Sequence, residues 1–262
     1  MQVMGVVVRL AETIEVNGVV AGGKDHVLAV FRALDEVEKL RQSPTAGSRN
    51  IVMGLDRDYD SLAGREVVSP HVIYTNAMDA EAEILINGDV VRAASSAYSL
   101  PVRECALALR SGADLAGELA SLWFEWISFG IAADLCGVGC EVKHSKHSRI
   151  NSEGYGPLRK EAADELRLKI GAAVAKTGLA ETFEAVIDKA AETLSCGKPE
   201  RLVRGKWVMH YVWHLVRCDP NLAAPERNVR ADTVVKTCLE TLDFGEPWMR
   251  HYRTRLLAAI AA

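Results

Sequence analysis

No stretch of this chain is both long and free of charge. The most apolar segment, LASLWFEWISFGIAADLCGVG at 119–139, carries Glu125 and Asp134 inside it. That suits a buried core helix better than a membrane span, which needs about 20 predominantly apolar residues. Nor is there a positive excess: 31 Lys and Arg stand against 35 Asp and Glu, a net of −4. No global positive field therefore marks the chain as a nucleic-acid binder. The six cysteines (Cys105, Cys136, Cys140, Cys196, Cys218, Cys238) are scattered, and no cationic leader with a small-residue cleavage site is present. Together these absences predict a reduced cytoplasmic protein with no disulfides and no membrane segment. Internal repeats and low-complexity tracts are lacking too. Tryptophan is missing from the first hundred residues, and all five (Trp123, Trp126, Trp207, Trp213, Trp248) follow later.

What is present is ordinary globular material. The 262 residues are 49% hydrophobic and 25% charged, enough to bury a core in one large domain or two smaller ones. Residues 1–100 hold 9 Lys/Arg against 14 Asp/Glu, a net of −5, and the remainder hold 22 against 21, a net of +1. An acidic half beside a neutral one suits a metal site in the first and contacts to an anionic ligand in the second.

The first hundred residues alternate strand and helix signals. VMGVVVRL and TIEVNGVVA are short β-branched runs, the second broken by the turn dipeptide Asn17-Gly18. From Lys24 the period changes, and Val27, Leu28, Phe31, Leu34, Val37 and Leu40 fall on one helical face. IVMGL at 51–55 and HVIYT at 71–75 predict buried strands with the loop DRDYDSLAGRE between them, and Asp79 opens a helix through AEAEILI. That order predicts a small α/β unit with parallel neighbours over 1–100. From Pro101 to 262 strand signals nearly vanish, and successive amphipathic segments separated by Gly, Pro and Asn predict an α-helical region.

Several motifs compete. Asp56 and Asp58 follow a strand, at the edge where open α/β sheets put their ligands. In an extended segment residues i and i+2 point the same way, so both carboxylates suit one hard cation such as Mg²⁺. An acidic loop that merely ends a strand is the plain alternative. A calcium loop starting at Asp56 fails, since Ser61 and Val67 stand where Gly and Glu are required. Asp60 departs from the haloacid dehalogenase pattern, while nucleotide-sugar transferases, which also use Asp-x-Asp, stay open. GVVAGGK at 18–24 has phosphate-loop spacing, but Asp25 replaces the hydroxyl residue that binds Mg²⁺. Cys136, Cys140, His144 and His147 are too closely spaced for an ordinary zinc module. Their basic neighbours Lys143, Lys146 and Arg149 suit a solvated turn better than a phosphate contact. The aromatic run WVMHYVWHLV predicts core packing. Arg204 and Lys206, in the RGK that starts its helix, suit either an anion at the helix start or solvent.

Taken together, these residues resemble the TOPRIM fold, and in particular the DUF4435 family of bacterial TOPRIM-like proteins. AGGKD at 21–25 is similar to the family's Glu-Gly-x-x-Asp motif through Gly22 and Asp25, but Ala21 stands in place of the Glu. Asp56 and Asp58 match the Asp-x-Asp motif. TNAMDAEAEIL matches the third motif through Thr75, Asp79 and Glu81, and RGKW matches a late helix start. The resemblance is good over about 14–90 and loose beyond.

The resemblance implies a TOPRIM-like parallel sheet with flanking helices over 1–100, then an α-helical domain over 101–262 for docking and self-association. It implies a nuclease that hydrolyses DNA or RNA with Mg²⁺, or Mn²⁺ in its place. The catalytic set would be Asp56, Asp58 and Glu81 with position 21 as acid/base, and the metal ligands would come from Asp56, Asp58, Asp60, Asp79 and Glu81. Lys24, Arg204 and Lys206 would face nucleic acid. Related proteins act in anti-phage defence beside an ABC-type ATPase that senses infection, which implies such a partner here and self-association of free copies. Trp248 and Tyr252, of residue types enriched at interfaces, are the candidate contact. With Ala21 the chain is expected to be inactive as written. Retention of five acids favours a replaced glutamate over a long-abandoned site, because clustered carboxylates without a cation destabilise a fold. The alternative is a catalytically dead interaction module docking on the ATPase.

Overall fold

The computed structural model describes residues 23–36, 40–42, 49–112, 114–139, 155–222 and 232–261. Both N-terminal strand signals, Ala21, and the trio Cys140, His144 and His147 lie outside them. Where the apolar period shifts at Lys24, the chain forms α1 (Lys24–Glu36), which buries Leu28, Val30 and Phe31. Two short strands, β1 (Arg41–Gln42) and β2 (Arg49–Asn50), pair antiparallel. Then come β3 (Met53–Leu55), α2 (Asp60–Ala63), β4 (Val72–Tyr74), α3 (Ala80–Asn87), α4 (Val90–Tyr98) and α5 (Val102–Ala108). The rest is helical: α6 (Leu115–Leu122), α7 (Phe124–Leu135), α8 (Lys160–Ala175), α9 (Ala180–Ser195), α10 (Gly205–Cys218), α11 (Asp232–Thr241) and α12 (Arg250–Ala261). The protein is mixed α/β and mostly helical, and no helix among the described residues is long and apolar enough to cross a membrane.

Contacts divide the chain into two units, and the division does not fall at residue 100. One unit comprises 1–56, 67–75 and 247–262; the other comprises 57–66 and 76–246. The C-terminal segment, predicted to belong with the helical region, groups with the strands instead. The predicted loop after β3, with α3 and α4, groups with the helices.

In the first unit β3 and β4 run parallel, with Met53 opposite Val72 and Leu55 opposite Tyr74. The ladder continues past both ends, because Met53 N–H donates to the His71 carbonyl (2.8 Å) and Thr75 N–H to the Leu55 carbonyl (2.9 Å). Leu28, Val30 and Phe31 of α1 close over Met53, Leu55, Val72 and Tyr74 as one core. The outward carbonyls of β4 need other partners, since an unpaired strand edge invites a foreign strand. Side chains of α12 supply them: His251 Nε2 lies 3.0 Å from the Tyr74 carbonyl, and Arg255 Nη2 lies 3.4 Å from that of Val72. A carbonyl can only accept, so His251 carries its proton on Nε2.

The second unit is built around Trp123, Tyr98, Leu109, Leu119, Ile131 and Ile170, all fully buried. Its longest apolar segment was predicted as one helix but breaks between α6 and α7 at Trp123, which takes φ −118°, ψ 20°. The break lets the indole N–H donate to the Gly156 carbonyl at 3.2 Å, satisfying a donor that burial would otherwise strand. In the stretch predicted as loop, α2 forms because Gly64 can take the left-handed C-cap at φ +66°.

Removing the two α12 side chains that cover the strand edge should loosen the first unit alone. His251→Ala with Arg255→Ala is expected to cost about 1–3 kcal/mol for the two hydrogen bonds. Hydrogen exchange should then accelerate in α12 and β4 while α6 and α7 keep their protection.

Candidate functional site

The acids singled out by the sequence fall on both sides of the division. Asp56 ends the β3 segment in the first unit and is exposed. Asp58, Asp60, Asp79 and Glu81 belong to the second. Asp58 adopts φ +47°, so the Asp-x-Asp segment is not extended through its second aspartate. The i, i+2 argument that would aim both carboxylates the same way does not hold. Aspartate tolerates the left-handed region better than most residues. The turn directs Asp58 N–H onto the Met78 carbonyl at 2.8 Å, stitching this loop to the segment that precedes α3.

Arg57, between the two aspartates, is buried and ion-paired with Glu66. Asp60 opens α2 and lies 3.5 Å from Arg65. Glu81 sits exposed in the first turn of α3, whereas Glu83 is buried and accepts Ala77 N–H at 2.6 Å. The acid that reaches back into the third motif is therefore Glu83 rather than Glu81, two residues away in the same acidic run. Glu200 completes the frame: its carbonyl accepts Met78 N–H at 2.8 Å, and burial holds its carboxyl above the usual range.

Asp79 is the centre of this cluster. As N-cap of α3 it accepts Ala82 N–H at 2.8 Å. The same carboxylate accepts Gly205 N–H, the first amide of α10, at 2.9 and 3.2 Å. One negative group thus serves two helix N-termini, each carrying partial positive charge. The approach is close enough to require glycine: a Cβ at 205 would lie 2.2 Å from Ala82 N and 2.5 Å from Glu81 Cβ. The glycine of RGK is explained by this contact. The helix start that suited a bound anion is already capped by Asp79.

Arg204, immediately before Gly205, lies with its guanidinium carbon 5.3 Å from the Tyr59 ring centre and 6.0 Å from that of Trp207. Desolvation opposes its charge, but the Tyr59 hydroxyl and then the carboxylates of Asp58 and Asp79 outweigh it, holding the guanidinium firmly protonated. For buried Tyr59, desolvation raises the phenol and neighbouring Arg204 partly offsets it. Lys206 is exposed. In the first unit Lys24 stands 5.3 Å from the Tyr74 ring centre. Tyr59 is the partner that sequence reasoning missed; its only signal was a place beside two aspartates.

A divalent metal was the expected ligand. Among the described residues no three His, Cys, Asp or Glu side chains gather closely enough to hold one. The chemistry of the donors agrees. Asp79 is engaged by two helix amides, and both it and Asp58 interact with Arg204. The acids as arranged do not fit a metal centre. Cys136 of the zinc reading is buried, with its thiol 3.7 Å from the Leu179 carbonyl and pushed up by burial. Two clefts of the second unit, of about 650 and 380 Å³, are lined by residues such as Arg110, Asp114 and Glu118 in one and Leu62 and Lys189 in the other. Neither is lined by Asp58, Asp79 or Arg204. Comparison with family models, curated proteins and solved structures finds no match.

The helix-start contact gives a paired test. Gly205→Ala should destabilise the chain by about 1–3 kcal/mol, because backbone must move to admit the methyl. Gly171→Ala, where the added carbon meets nothing within 4 Å, should be neutral or stabilise by up to about 1 kcal/mol. Urea unfolding of both variants measures the difference.

Proposed function

We propose that this chain is a TOPRIM-like module of the DUF4435 type, related to Mg²⁺-dependent nucleases of bacterial anti-phage defence and catalytically silent as written. Support comes from the order and placement of its motifs. Asp56 and Asp58 follow one strand of a parallel pair, and the next strand leads through Thr75 to the Asp79-capped helix. That arrangement carries the proposal. Silence follows from Ala21 in place of the expected glutamate, and from a cluster whose acids are already engaged.

The substrate class is nucleic acid, DNA or RNA, acted on in the cytoplasm. In the active relatives that the motifs resemble, Mg²⁺ or Mn²⁺ would supply charge stabilisation and an oriented water for phosphodiester hydrolysis; here the candidate ligands Asp58 and Asp79 stand in the arrangement described above, which does not fit such an ion. The chain's own residues hold the surrounding frame: Asp58 N–H ties the Asp-x-Asp segment to the third motif at Met78, Glu83 braces that motif through Ala77 N–H, and Arg204 supplies positive charge. An ABC-type ATPase is the proposed restraining partner, with self-association of free copies. Trp248 and Tyr252, half-buried with ring centres 5.9 Å apart, are the proposed contact.

A second proposal, an interaction module that docks on the ATPase without chemistry, is favoured by Asp79, whose carboxylate serves two helix starts. Ala21→Glu separates the two. The nuclease proposal expects Mg²⁺-dependent cleavage to rise by on the order of 10² to 10⁴, the usual worth of one acid/base group. The measurement is a plasmid and RNA degradation assay with the ATPase present. A folded variant that stays inert on single- and double-stranded DNA and RNA, with either metal, leaves the docking module.

A further inference from the structure

The cysteines among the described residues are all free, and they fall into two groups. Cys105, Cys136 and Cys238 are buried, and desolvation pushes each thiol up, which makes it unreactive. Cys196 and Cys218 are exposed. These two differ in what stands beside them. Cys196 follows α9, whose sequence AETFEAVIDKAAETLS contains no histidine. Cys218 closes α10, and its Sγ lies 3.4 Å from Nδ1 of His214, one turn earlier on the same helix face.

The local sequence places both groups. Pro220 disfavours the helical region for the residue before it, so Asp219 takes φ −71°, ψ 117° and α10 ends at Cys218. The thiol therefore meets solvent. His214 sits one turn deeper, half-buried, with its ring centre 5.0 Å from that of Tyr155. Tyr155 in turn stacks on Trp123 of the core, which gives the imidazole an aromatic wall behind it. Burial holds His214 below the usual imidazole range and leaves it neutral at pH 7. A neutral imidazole with its proton on Nε2 presents a lone pair at Nδ1, the atom that faces the thiol. A nucleophile, a base within reach and a third group that orients the base are the parts of an activated thiol.

We propose that Cys218 is a site of thiol–disulfide exchange with small disulfides, and that His214 accepts its proton. Sγ of Cys218 attacks one sulfur of the disulfide. A new S–S bond joins that half to the protein, the old S–S bond breaks, and the other half leaves as a thiolate. The proton given up by Cys218 passes to Nδ1 of His214 and then to the departing thiolate. One protein thiol is oxidised and one half of the disulfide is reduced, with no further oxidant. The negative end of α10 disfavours a standing thiolate at this position, so the proton moves during the attack rather than before it. The pair lies at the opposite end of α10 from Gly205, and the proposal does not rest on the nuclease reading.

The test incubates the folded full chain with oxidised glutathione at neutral pH and follows mixed-disulfide formation at each cysteine by peptide mass mapping. Cys218 should react on the order of tenfold faster than Cys196, since only a few per cent of an unassisted thiol is ionised at pH 7. His214→Ala should bring Cys218 down to the rate of Cys196, and added imidazole should restore part of the difference. A ring that served packing alone would not be replaced in that way. Circular dichroism checks the fold, His214→Gln stands in if the alanine variant unfolds, and the comparison of Cys218 with Cys196 needs no variant. Equal rates at the two cysteines of the unaltered chain overturn the proposal, and so does a folded His214 variant that keeps the fast rate.

Discussion

One carboxylate holds two helix starts of the second unit together. Asp79 caps α3 through Ala82 N–H and caps α10 through Gly205 N–H, although residues 79 and 205 are more than a hundred positions apart. Each helix start leaves amides without partners, and a buried donor left unpaired costs about 1–3 kcal/mol. Sharing one acid between two starts forces them together, and the space that remains at 205 admits only hydrogen. The path of Arg204 follows from that contact, as does the place of its guanidinium.

From Arg204 a row of rings runs into the core. Trp207 lies 5.0 Å from Trp126, Trp126 lies 6.0 Å from Trp123, and Trp123 stacks on Tyr155 at 5.1 Å. Aromatic contacts of this kind add about 0.5–1.5 kcal/mol each beyond burial, and cation–π contact adds a similar amount. Three of the five tryptophans, Trp123, Trp126 and Trp207, thus stand in one row, and Trp207 at its end meets the arginine. In the other unit the unsatisfied groups are strand-edge carbonyls, and α12 answers them with His251 and Arg255. Both units solve the same problem of orphaned backbone polar groups, one with an acid and the other with basic side chains.

The strands at 53–55 and 72–74, their parallel pairing and the helix opening at Asp79 were legible because local pattern decides them: β-branched runs, then an acid before an apolar period. Trp207, Tyr211 and His214 were legible as packing residues for the same reason. Other features depend on distant partners. Nothing near Gly205 announces that Glu81 will press on it, and nothing near Tyr59 announces Arg204. The left-handed turn at Asp58 goes with its bond to the distant Met78 carbonyl, so the two aspartates, alike in sequence, differ in setting. In the α4 segment VVRAASSAY β-branched and serine residues weaken the helical pattern, yet burial of Val90, Ala93, Ala94 and Tyr98 holds it. The composition around Trp248 and Tyr252 suits a surface for partners, and nothing in it announces that His251 and Arg255 of the same helix meet a strand edge.

The central claim is that Asp79 and Arg204 act as one electrostatic unit, and a double-mutant cycle on stability measures this directly. Asp79→Asn, Arg204→Gln and the double variant would be compared by urea unfolding. The account predicts a coupling energy of about 1 kcal/mol or more, because the Asp79 carboxylate is one of the charges that hold the Arg204 guanidinium protonated. Effects that add to within about 0.3–0.5 kcal/mol, as for independent sites, would contradict it.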